Sequence, residues 1–528
     1  MGEHNHDAIK RKRVKKPIRP GKILLAFVCI AVVASIFFLN FNNNHKEALI
    51  VQTNAFFAPF EFYDGDSIKG VDVDIMNKVA DKVGKNAKFV NVEFSAIIDN
   101  VASGNVCDAG AAGITITPER AAKVDFSIPY YTSAQYVIFP KERAPANNSK
   151  YIIWESLAGK TIGVQGDTTG WIYADDEIAN GSLKNTNTIL KNFDSAQLAA
   201  DGINSNFVDV VIIDDVAAEL IASKNQALDI LPLYFSDPAG DAPVEEEYAI
   251  AVAKGNTELL DAINKTLMEM MSNVDENNIN DIQNLVLKYM DIDPVYSSGN
   301  FFAKIDELFS TPEYTSALWN GFLTTIQISI AASLLGLVLG TIVTLVGISK
   351  KNFLTTIPKF ICNIYVTVIR GTPMALQLII MFYVIFTFRG FPEIITAILA
   401  FGINSGAYVS ENIRAGILSV DKGQTEAGLA LGLPHRTVLR RVVFPQAIKN
   451  VIPAIGNELI ALIKETSIVN MVGMYDLTMA AKVIGSGNNM ASYLVPMTVA
   501  ALFYLAIVYL LTFVVKLIEK RLRASDLH

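Results

Sequence analysis

Apolar positions along this chain follow two different patterns, with a change near residue 300. Between 48 and 290 they come in short β-branched runs, 48–52, 87–92, 161–165 and 208–213, separated by stretches with helical spacing such as 71–83 and 94–103. Alternation of this kind predicts an α/β fold with parallel sheets. The connections 137–143 and 231–238 predict a chain that crosses to a second lobe and returns, with lobe 1 about 45–138 and 238–290 and lobe 2 about 139–237. From 313 to 520 the apolar runs lengthen into blocks at 318–348, 361–388, 394–417, 448–472 and 495–517. Each can hold a span of about 20 residues, so this part is expected to be an all-α membrane domain of five helices.

Polar segments fix the remaining boundaries and the orientation. Residues 1–22 form a basic tail with eight Lys or Arg, followed by an apolar segment at 23–41. The long tail and the lack of an A-x-A site before Asn40 favour an uncleaved signal anchor over a signal peptide. The tail is then cytoplasmic and the α/β part is exported. A linker rich in Ser, Gly, Asn and Asp at 291–312 holds the two parts at high effective concentration. Basic clusters follow the first membrane block (Lys350, Lys351, Lys359), the third (Arg436, Arg440, Arg441) and the last (Lys516, Lys520, Arg521, Arg523). With the binding part outside and five spans after it, all three clusters fall on the cytoplasmic side.

Composition agrees with a mixed protein: 51% of residues are apolar and 18% charged, and mean hydropathy is +0.34. The net charge of -8 has no basic patch outside the membrane loops, which removes nucleic-acid binding from consideration. Cys29, Cys107 and Cys362 lie too far apart to suggest a disulfide framework or a metal site. Ala26-Phe27-Val28 lacks the small residues that a lipoprotein cleavage site at Cys29 needs.

The motifs give the chemistry. Gln424–Pro445 is polar and basic between two apolar blocks, and carries Glu426-Ala427-Gly428, then Gly432, then Val442-Val443-Phe444-Pro445. It resembles the EAA signature of permease subunits of ATP-binding cassette (ABC) importers. The resemblance implies a cytoplasmic coupling loop at about 421–448, with small residues that let an ATPase approach and a turn at Gly432. Asn54–Phe62, Gly70–Asp74, Ala112–Arg120 and Asp125–Tyr131 together resemble the polar-amino-acid solute-binding proteins. Arg370–Gln377, Tyr408–Arg414 and Gly456–Ser467 resemble the matching permeases. The implied fold is multidomain: an α/β two-lobed periplasmic-binding-protein-like domain (type II) at 45–290, followed by an all-α transmembrane permease of the type I ABC importer fold at 313–520.

An enclosed amino acid needs partners for both its charges. Its carboxylate calls for a bidentate cation and a hydroxyl, which Arg120 and Thr115 supply, and its ammonium for Asp214 and the backbone of Gly113. The resemblance assigns the same roles to these positions. It also places Phe57 and Phe94 around the ligand and Gln165, Thr168 and Thr169 on the second lobe. Asn54, Gln165 and Thr169, with Ile213, are expected at the side-chain end. No acidic residue is expected there, which disfavours arginine and lysine and favours glutamine, asparagine or glutamate. Asp167, if turned inward, would repel an anionic side chain. In the membrane part, Glu411, Arg414, Glu458 and Lys464 are candidates for the translocation path or for pairing between helices.

The expected activity is uptake of a polar amino acid as the receptor and permease subunit of an ABC importer. No G-x-x-x-x-G-K-[ST] loop occurs, so no cofactor is expected on this chain, and ATP and Mg are assigned to a separate cytoplasmic ATPase in two copies. Five spans enclose too little, so a homodimer within membrane lipid is expected. A ligand-gated ion channel with the same two-lobed binder is the alternative, although such channels insert their pore inside the binder. A membrane transglycosylase would need a catalytic module for which no stretch remains, and a sensor would need a cytoplasmic kinase-like region.

Overall fold

The computed structural model describes residues 48–144, 149–236, 241–290, 301–349, 353–386, 391–486 and 492–523. The basic tail, the apolar segment at 23–41, Lys350 and Lys351 lie outside the described residues.

Two mixed sheets form the cores of the binding domain's lobes, and a small three-stranded sheet, Phe56–Phe57, Glu61–Asp64 and Ser67–Lys69, accompanies them. In lobe 1 the strand order is Asn86–Asn91, Ala48–Thr53, Ala109–Gly110, Ala251–Ala253, Val124–Phe126. The helix Val71–Lys82 buries Val71, Ile75, Met76 and Val79 on one face of this sheet, and Phe94–Ser103 buries Ile97 and Val101 on the other. These are the apolar positions at helical spacing in each segment. In lobe 2 the strands Ile189–Phe193, Thr161–Gln165 and Val210–Asp214 run parallel, and Tyr131–Pro140 and Leu228–Phe235 continue the sheet antiparallel. The parallel strands are as expected; the first antiparallel addition, Tyr131–Pro140, is the strand by which the chain enters lobe 2.

The crossing differs from the one expected. Tyr131–Pro140 is one continuous strand whose first residues pair with Glu245–Tyr248, from Tyr131 opposite Tyr248 to Ala134 opposite Glu245. Its later residues already belong to lobe 2, where Gln135 pairs with Asp214. The hinge is therefore the ribbon 131–134 with 245–248, not the segments 137–143 and 231–238. Strand pairing decides the matter, because the ladder bridges the lobes without any turn signal.

In the membrane part three described helices are long and apolar enough to cross a bilayer: Pro312–Ile348, Glu393–Leu418 and Leu494–Leu522. The second expected span is broken, with Thr355–Gly371 and Met374–Ile385 meeting at 109°. Taken as one span, the bent pair makes four among the described residues by length and composition. Thr372 and Pro373 lie at the break, where proline supplies no N–H and restricts the residue before it. The helix Phe444–Glu465 falls short of the span criterion because Pro453, Asn457, Glu458 and Lys464 interrupt its apolar run. Pro312–Ile348 packs along Glu393–Leu418, with Gly336 against Ser405 and Gly340 against Gly406 and Val409, and Thr344 Oγ1 donating to the Ser410 carbonyl at 2.9 Å.

The segment expected as linker contains a helix, Phe301–Ser310, that seats Leu308 in a permease cluster with Leu318, Leu477 and Val495. Phe301, Ile305 and Leu308 share one helix face, which is why this stretch orders.

The permease meets both lobes. Asp476 caps the helix Leu477–Gly485 by accepting from Met479 N at 2.8 Å. From this helix Met479 and Val483 pack with Ala55 and Tyr63 of lobe 1, and Tyr475 Oη donates to the Gly65 carbonyl at 3.2 Å. On lobe 2, Lys482 Nζ stands 3.8 Å from Asp194 Oδ2, and the hydroxyls of Ser195 and Tyr493 are 3.3 Å apart. With the Asp194 side chain 72% exposed, that ion pair contributes at most about 1 kcal/mol. The apolar and aromatic contact of lobe 1 is the stronger attachment.

Candidate amino acid site between the lobes

The site is made where strands end and helices begin. Thr117 caps the short helix Pro118–Lys123 by accepting from Arg120 N at 3.2 Å, with Pro118 in the first turn. This start aims the Arg120 side chain into the cleft. Thr168 caps Thr169–Ala179 in the same way, accepting from Trp171 N. Asp214 ends its strand at the start of Asp215–Lys224 and makes no capping bond, so its carboxylate turns inward.

Around one cavity the structure brings together every residue named from sequence for the ligand: Asn54, Phe57, Phe94, Gly113, Thr115, Arg120, Gln165, Thr168, Thr169 and Asp214. Arg120 is 9% exposed. Its Nη1 donates to the Thr115 carbonyl and its Nη2 to the Asp167 carbonyl of lobe 2, both at 2.9 Å. The Phe94 ring lies 5.3 Å from the guanidinium. Asp167 contributes only its backbone; its side chain is exposed and does not reach the cavity, so the inward repulsion expected of it does not arise. Asn54 Nδ2 donates to the Val92 carbonyl at 2.8 Å, and its Oδ1 lies 3.4 Å from Gln165 Nε2 across the cleft. Gln165 Oε1 is buried with no hydrogen-bond partner among the described residues.

Two carboxyl groups escaped the sequence reading. Glu61 lines the cavity and is fully buried. Burial first, and then the neighbouring Asp72, push its pKa well above the usual carboxylate range. The reading of the side-chain end, which expected no acidic residue there, did not take in Glu61 as part of the cavity wall. Glu61 belongs to Pro59-Phe60-Glu61-Phe62, where it reads as a strand residue facing water. Glu246 lies beneath the cavity, bonded to Thr115, Thr169 and Gln135. Asp214 accepts from Gln135 Nε2 and from the Tyr248 hydroxyl. Burial and the nearby Glu246 raise Asp214, against these two hydrogen bonds. Asp72 holds the loop at Gly113, accepting its N–H at 3.0 Å and the Tyr130 hydroxyl at 2.5 Å.

In the membrane part, Arg414 donates to Glu411 through Nε at 3.0 Å and Nη2 at 2.6 Å, and Arg370 Nη1 lies 3.7 Å from the same carboxylate. These residues line a groove of about 620 Å³ with Cys362 and Thr344. Glu458 is half-buried and Lys464 exposed on a different helix, outside that cluster. In the segment expected to form the coupling loop, Lys422–Ala430 is helical and Gly428 is buried against Val438. Gly432 turns the chain at φ 76°, a left-handed conformation that favours glycine. Glu426, Ala427, Leu429 and Leu431 are exposed, with Leu431 at 80%.

Comparison with known proteins divides the chain at the same place. Residues 49–283 match the bacterial extracellular solute-binding proteins, family 3, and residues 336–524 match the binding-protein-dependent transport system inner membrane component. The arginine transport system permease protein ArtQ of Bacillus subtilis is 40% identical over 209 residues, 39% of this chain and 92% of that protein. The glutamine transport system permease protein GlnP of Escherichia coli is 33% identical over 214 residues, 39% of this chain and 97% of that one. Among solved structures, an ancestral arginine-binding protein bound to arginine aligns with 30% identity and a TM-score of 0.39, over 47% of this chain and 99% of its own. The reading as a ligand-gated ion channel finds no support, since the binding region is contiguous and the membrane helices follow it. The chain belongs to the inner membrane components of binding-protein-dependent transport systems, as an amino acid ABC transporter permease of the cell membrane that carries its own extracellular solute-binding domain.

Proposed function

We propose that this chain captures a polar amino acid with a hydrogen-bond-donating side chain, glutamine or asparagine, and passes it inward through a homodimer driven by two cytoplasmic ATPase subunits that bind ATP and Mg. The observation that carries the substrate is the balance of groups in the cleft. Arg120 is the one cation lining it, and Asp214 faces it as partner for an ammonium. Beyond this pair the cavity offers acceptors, Asn54 Oδ1 and the unpartnered Gln165 Oε1. An amide side chain donates to them, whereas the carboxylate of glutamate would leave them unsatisfied and add charge beside Glu61. Arginine is a second reading, favoured by Glu61 in the cavity wall and by the relative named for arginine transport.

The exposed Leu429 and Leu431 beside Glu426 and Ala427 offer an apolar surface for the ATPase. Glu411 and Arg414, paired along a polar groove, support a place beside the path, whereas Glu458 and Lys464 belong to another helix outside that groove. Calorimetric titration of the whole chain in lipid nanodiscs with the twenty amino acids tests the substrate. Micromolar or tighter binding of glutamine or asparagine supports it, and binding confined to apolar or acidic amino acids would refute it.

A further inference from the structure

Glu246 has no place in the recognition described so far, yet it touches every part of the site. It lies on the hinge strand Glu245–Tyr248, 3% exposed. Its Oε2 accepts the hydroxyl of Thr115 from lobe 1 and that of Thr169 from lobe 2, each at 2.5 Å. Its Oε1 accepts Gln135 Nε2 from the other hinge strand at 2.6 Å. Thr115 and Thr169 are cavity-lining hydroxyls, and Thr115 is the donor assigned to the ligand's carboxylate.

We propose that Glu246 is an internal stand-in for the ligand's α-carboxylate: it ties the lobes together through Thr115 and Thr169, and binding exchanges its carboxylate for that of the amino acid. The inference rests on the amino acid reading above. Two carboxylates cannot share one pair of hydroxyls without strong repulsion. The charged and titratable groups facing Glu246 are Arg120 from lobe 1, Asp214 and Tyr173 from lobe 2, and Tyr248 on its own strand. Only Arg120 among them is a cation, and it is held by two carbonyls that release it toward an incoming carboxylate.

The test is Glu246→Gln in the whole chain in nanodiscs, titrated with glutamine and glutamine α-amide, and in parallel with arginine and argininamide. The amide keeps the shape and can keep both threonine bonds through its oxygen, while removing the charge and the acceptor for Gln135 Nε2. Expected is about tenfold tighter binding of the free amino acid with no gain for its α-amide, the scale of one charge-assisted hydrogen bond. Glu246→Ala should widen the same preference. An equal change for acid and amide in both variants, or weaker binding of the free acid, overturns the role of Glu246 alone. A folded wild-type chain that binds no amino acid overturns the substrate reading as well.

Discussion

Gly473 of the permease lies so close to Asn91 of the binding domain that a Cβ on the glycine would stand 2.0 Å from the Asn91 carbonyl oxygen. Its φ of 77° adds a second reason for glycine. Gly473→Val is therefore expected to separate receptor from permease. In proteoliposomes with the ATPase, amino-acid-stimulated ATP hydrolysis should fall to the basal rate, while calorimetric affinity stays within about twofold of wild type. Stimulation that survives the substitution would show that this contact is dispensable.

Removal of either ligand charge partner has a larger effect on capture. Arg120→Ala and Asp214→Ala each leave a desolvated charge of the ligand unpaired, which costs about 3 kcal/mol or more. Affinity should drop by at least about a hundredfold in each by calorimetry. Unchanged affinity in both variants would refute the placement of the ligand's charges.

The coupling segment can be broken without touching the cleft. Glu426→Lys reverses an exposed charge, and Gly432→Val forces a branched residue into a left-handed turn at a cost of about 1–3 kcal/mol. Both variants should bind amino acid normally and fail to transmit it to ATP hydrolysis. A vesicle uptake assay alongside titration separates the two effects; uptake at wild-type rates in both would refute the docking role.

Stability of the binding domain should depend on pH through Asp72. Burial raises its pKa from 3.8 to about 6, against the bonds from Tyr130 and Gly113. The fold thus favours the neutral acid, and its contribution is fully present below about pH 4 and lost as pH rises through about 6. That contribution is at most on the order of 3 kcal/mol. Asp72→Asn should flatten the decline between about pH 4 and 6 in thermal unfolding of the domain followed by Trp fluorescence. An identical pH profile in the variant would remove Asp72 as its source.

Much of the cleft was legible because its residues are packed into short motifs. Pro118 and Arg120 announce both a helix start and a cation aimed from it, and Asp214 follows a β-branched strand directly. Glu246 was hidden in the run Glu245-Glu246-Glu247, which reads as a solvated edge. Only the antiparallel register opposite Ser133 turns the middle glutamate to the same buried face as Tyr248. The broken second span escaped for a related reason: hydropathy counts apolar residues without their direction, and Thr372-Pro373 changes direction without adding a charge. The hinge was misplaced because a strand that belongs to two lobes has no breaker between them.

The seating of Leu308 in the permease has a physiological consequence. From Met290 to Phe301 the chain can reach no further than roughly 40 Å fully drawn out, so the receptor never diffuses away from its own gate. Supply of receptor and of gate is locked at equal numbers, and a cell cannot scavenge harder by secreting more of one without making more of the other.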